Sequence, residues 1–90
     1  SVPDSPFLLA PQRDPQVVSV TAAPTSAVYF ENQQVSFEVL RNRLESQRGR
    51  KRTVVIKADR LASFDLIARV MAVSLELGYP TVVATSDNSR

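Results

Sequence analysis

The stretch from Thr53 to Gly78, TVVIKADRLASFDLIARVMAVSLELG, constrains this chain more than any other. It opens with β-branched residues, breaks at a short turn and continues as one long apolar helix. Val54, Ile56 and Ala58 fall on one face of the predicted strand, Val55 and Lys57 on the other. Apolar residues on both faces at its start predict a central place in a sheet. Ser63 is positioned as an N-cap, and Asp65 in the first turn suits the positive end of the helix dipole. Gly78 followed by Tyr79-Pro80 is a stop signal. Thr81 to Thr85, TVVAT, is then a further strand. A strand, a helix and a strand with short connections form a right-handed crossover, so these two strands run parallel.

The helix from Phe64 to Leu77 is unusually apolar. At 100° per residue its apolar side chains cover an arc of about 260°, against the ~100° that packing on one sheet requires. Phe64, Ile67, Met71 and Leu75 make one seam and are assigned to the sheet. Leu66, Val70, Val73 and Leu77, spaced by four, three and four, make a second. A chain of 90 residues has little left to cover that second seam. The expectation is a homodimer with Leu66, Val70, Val73 and Leu77 at its interface.

The rest of the chain supplies a cover and a tether. Residues 1–15 hold Pro3, Pro6, Pro11 and Pro15 and read as a semi-extended linker, with a Phe7-Leu8-Leu9 island inside it. Gln16 to Ala22 and Ala27 to Glu31 read as two strands of an antiparallel hairpin. Ser36 caps a helix running to about Arg48, with Phe37, Leu40 and Leu44 on its inner face. The predicted fold is α+β, a small two-layer sandwich. Its order is β-β-α-β-α-β, with two helices packed on one face of a mixed sheet. Residues 16–86 form this domain and 87–90 a disordered tail.

Composition excludes most site chemistry. The chain has no Cys and no His, which removes thiol nucleophiles, Ser-His triads and nearly all metal sites; no cofactor or metal is expected. A hydrolase built on Asp59 is a remote alternative, because Asp59 reads better as a strand-end residue capping local amides. Between Arg41 and Arg60 eight basic residues face two acids. That run could bind phosphate or another anionic polymer, yet it lacks interleaved aromatics and a GXXG loop. A solvated loop is the plainer reading, and no nucleic acid is expected. No apolar run is long enough to span a bilayer, so any membrane anchor would lie outside these residues.

The hairpin ending VYFENQQV, the helix opening SFEVLRNRL, the strand TVVIKADR, the helix SFDLIARVMAVSLELGY and the strand TVVAT resemble the periplasmic domain of the ExbD/TolR family. The resemblance covers Gln16 to Thr85 and leans toward the ExbD side. It implies a non-catalytic periplasmic domain of a single-pass inner-membrane protein in a proton-driven complex. The implied partners are an ExbB/TolQ-like motor subunit, a TonB/TolA-like protein and peptidoglycan. The family's proton-carrying Asp sits in a transmembrane helix, so no residue here takes that role. A TolR-type role in the Tol-Pal envelope system is the alternative. Lys57, Asp59, Arg60 and Tyr79 are the expected partner contacts.

Overall fold

A computed structural model describes residues 14–47, 49 and 52–86. Most of the expected linker, the tail from 87 to 90 and the basic positions 48, 50 and 51 lie outside the described residues. The elements are β1 (Gln16–Val20), β2 (Val28–Phe30), β3 (Gln33–Val35), α1 (Phe37–Ser46), β4 (Val54–Asp59), α2 (Phe64–Glu76) and β5 (Thr81–Ser86). They form one five-stranded sheet in the order β3-β2-β1-β4-β5. β1 and β2 pair antiparallel, while β1–β4 and β4–β5 pair parallel. The α+β architecture and the central place of β4 therefore match the sequence reading.

One element goes beyond that reading. β3 pairs antiparallel with β2 across a two-residue turn, with Phe30 opposite Gln33. Glu31 and Asn32 in that turn have φ of 50° and 73°. Two-residue hairpin loops of type I′ need positive φ at both positions and normally signal it with Asn-Gly or Asp-Gly. Glu-Asn gives no such signal, and the exposed, polar β3 lacks alternation, so pattern alone could not find it.

Both helices begin as their caps dictate. Ser36 Oγ accepts from the Val39 N–H at 3.1 Å, and Ser63 Oγ from the Leu66 N–H at 3.1 Å. α2 ends in a Schellman closure. The Gly78 N–H donates to Leu75 O at 2.9 Å and the Tyr79 N–H to Ser74 O at 3.1 Å, with Gly78 at φ 85°.

The core lies between one face of the sheet and the two helices. Val18, Val20, Phe30, Val54, Ile56 and Ala58 supply the sheet side, and Leu40 and Leu44 come from α1. From α2 come Val70 and Val73, only 1% and 6% exposed, with Leu66 and Leu77 packed against the cluster. This overturns the division into two seams, since Ile67 and Met71 of the other seam also pack against the core. Leu66, Val70, Val73 and Leu77 face the chain's own core, so they are not an open dimer surface. Phe64 and Leu75, assigned above to the sheet, are 79% and 55% exposed.

The physical reason is a polar residue on the inner side. Ser74 is fully buried, and its hydroxyl meets Thr81 Oγ1 at 2.6 Å. A count of apolar side chains treats Ser74 as an outward position, but its hydrogen bond to the next strand fixes the rotation of the helix. Both seams repeat at steps of three and four residues, the helical period, so periodicity could not choose between them.

The orientation of α2 is measurable. Val70→Glu buries an uncompensated charge and is expected to cost more than ~3 kcal/mol, seen as lost folding in circular dichroism. Phe64→Glu leaves the core of the chain untouched and is expected to keep the folded circular dichroism spectrum.

Candidate functional site: the open flank of α2 and β5

β5 lies at one edge of the sheet and pairs with β4 alone among the described residues. A strand edge of this kind leaves N–H and C=O groups available to an added chain. Val82 and Val83 are both exposed on β5, and Phe64 and Leu75 are exposed on α2. Leu61, in the turn that leads from β4 into α2, is exposed as well. Exposed large apolar residues beside an open edge mark an interaction surface more readily than a solvated one.

The expected partner contacts separate into two groups. Lys57 and Arg60 are exposed around the C-terminal end of β4. Asp59 is half-buried and does what a strand-end acid does: its Oδ1 accepts from the Leu61 N–H at 2.8 Å and shapes the turn. Tyr79 is not a surface contact. It is 3% exposed, and its hydroxyl donates to Leu44 O at 2.6 Å, tying the end of α2 to α1. The Gly-Tyr stop signal places it in a loop, where an aromatic reads as accessible.

Three described arginines of the basic run are engaged with their own chain. Arg41 pairs with Glu76 at 2.7 Å, bridging the two helices. Arg43 donates to Gln33 Oε1 at 3.0 Å and lies 5.8 Å over the Phe30 ring. Arg52 reaches Asp14, Glu31 and Gln47. These contacts give each guanidinium a structural role, so the run does not present these cations as one phosphate-binding stripe.

A groove of about 430 Å³ runs between the helices, lined by Phe37, Glu38, Arg41, Arg69, Ala72 and Val73. Arg69 stacks 4.2 Å over the Phe37 ring and Arg41 holds Glu76, so two rungs cross it. Among the described residues no group of three or more acids is placed to hold a metal ion. No described helix is long and apolar enough to cross a membrane.

The sequence reading missed the α2–β5 flank. The signal that could have found it was Ser74, whose hydroxyl finds its partner in Thr81 on the next strand.

This arrangement defines a small α+β domain whose open chemistry is an apolar strand edge. The family model for "Biopolymer transport protein ExbD/TolR" matches residues 3–88, and the chain belongs to the ExbD/TolR family. No curated protein matches it. The family is membrane-associated, non-enzymatic and accessory to transport, and it works in complexes with transport motor proteins. Membership implies an energy-transducing role in biopolymer transport.

The internal role of Tyr79 can be checked directly. Tyr79→Phe keeps the ring and removes one buried hydrogen bond, for an expected loss of about 1 kcal/mol in denaturant unfolding.

Proposed function

We propose that this domain is the periplasmic part of a single-pass inner-membrane protein of the ExbB-ExbD-TonB type. In this reading it relays proton-derived energy to a TonB-like protein for transport across the outer membrane, and it performs no catalysis itself. The observation that carries the proposal is the family match over residues 3–88 together with an apolar-flanked β5 at the sheet edge. A partner that must be gripped without a deep pocket is well served by strand addition. Main-chain hydrogen bonds give affinity there, and alternate side chains give selectivity.

The partner segment is extended and Pro-containing, and it pairs along Thr81 to Thr85. Lys57 and Arg60 contribute a polar rim. Titrating the isotopically labelled domain with a TonB-type linker peptide is expected to shift the amides of residues 81–85 most. Shifts that avoid β5 would overturn the strand-addition mode, and a preference for a TolA-type segment would move the assignment to the Tol-Pal system.

The homodimer is retained on a different surface from the buried seam. Phe64 and Leu75 lie on the outward side of α2, and Ala68 and Ala72 between them permit close approach of a second helix. The double substitution Phe64→Glu, Leu75→Glu is expected to give a monomer mass in light scattering with unfolding cooperativity unchanged. A mass identical to that of the unaltered chain would remove this interface.

A further inference from the structure

Several costly features meet at the start of β1, where the chain enters the fold. Gln16 is fully buried, and neither Oε1 nor Nε2 of its carboxamide has a hydrogen-bond partner among the described residues. A buried amide without partners favours any rearrangement that hydrates it. Asp14, two residues earlier, has φ 56°. Glu31, whose N–H donates to Val17 O at 3.0 Å, has φ 50°. Asp tolerates this left-handed region better than Glu, but both positions store backbone strain.

One side chain holds these features together. Arg52 Nε donates to Asp14 O at 2.9 Å, and Nη2 lies 3.3 Å from Asp14 Oδ1 and 3.8 Å from Glu31 Oε2. Its Nη1 donates to Gln47 Oε1 at 3.2 Å. The Arg52 side chain is 19% exposed, whereas that of Asp14 is 80% exposed. The clamp thus has a sheltered centre and an arm open to water, where ion pairs are weak.

We propose that this junction is a two-state latch on the chain ahead of β1. In the closed state Arg52 bridges Asp14, Glu31 and Gln47, and Gln16 lies buried with its backbone N–H on Thr53 O at 2.9 Å. In the open state residues 14–17 leave β4, the Gln16 carboxamide is hydrated, and Asp14 and Glu31 relax. The opening is local. Val18 and Val20 are buried in the core, and the far end of β1 is closed separately by the Thr21 N–H on Ala27 O at 3.0 Å. Whatever engages the segment before Asp14 is therefore felt inside the fold as occupancy of the Arg52 clamp. The latch does not rest on the functional reading above.

Residue-resolved hydrogen exchange on the whole chain tests it. Arg52→Met is expected to speed exchange at the amides of residues 16 and 31 by ~10-fold, leaving Thr21 and Tyr79 within about twofold. Gln16→Leu, which removes the orphan amide, is expected to slow the same two positions and spare the same controls. Uniform changes across the sheet, or no change at residues 16 and 31, would overturn the latch. If Arg52→Met does not fold, Gln16→Leu decides alone: selective slowing at those two sites supports the proposal, and anything else sinks it.

Discussion

At Gly78 the backbone turns left-handed, hands the Tyr79 N–H back to Ser74 and sends the chain into β5 beside β4. With the Ser74–Thr81 hydroxyl contact, this closure sets the rotation of α2 about its own axis. Once that rotation is fixed, Val70 and Val73 must enter the core and Phe64 and Leu75 must stay outside. Tyr79 follows inward and ties α1 to the same end through Leu44 O. The core, the exposed flank and the register of the last strand all depend on how one helix stops.

This dependence explains what was legible in the chain beforehand. β4, both N-caps, the stop at Gly78 and the parallel crossover each rest on a local rule with a short sequence signature. All of them appear in the structure. The rotation of α2 was not legible, because both seams step by threes and fours as any helix face does, and the deciding contact is between hydroxyls. β3 was hidden by a Glu-Asn turn that adopts positive φ without glycine. Tyr79 was misplaced because burial of its ring depends on α1, over thirty residues away in sequence.

The exposed flank also carries a hazard that the fold answers only incompletely. An edge strand with Val82 and Val83 accessible invites pairing with any extended chain, and small sheets usually guard such edges with charge or proline. Pro80 stands just before β5, but the strand itself, TVVATS, carries no charged residue. A surface so open is consistent with an edge meant to be occupied. The absence of Cys and His fits the same picture, since gripping a partner along its backbone needs neither.

The strand order has a mechanical meaning of its own. β1 is flanked by β2 on one side and β4 on the other, and β4 alone connects it to β5. Tension on the chain before Gln16, resisted by a partner seated along β5, would cross two parallel ladders in shear. Ladder bonds in that geometry share the load, whereas bonds pulled open from one end fail in succession like the teeth of a zipper. The first to bear it would be the Gln16 amide on Thr53 O, beside a core carboxamide with no hydrogen bond of its own among the described residues.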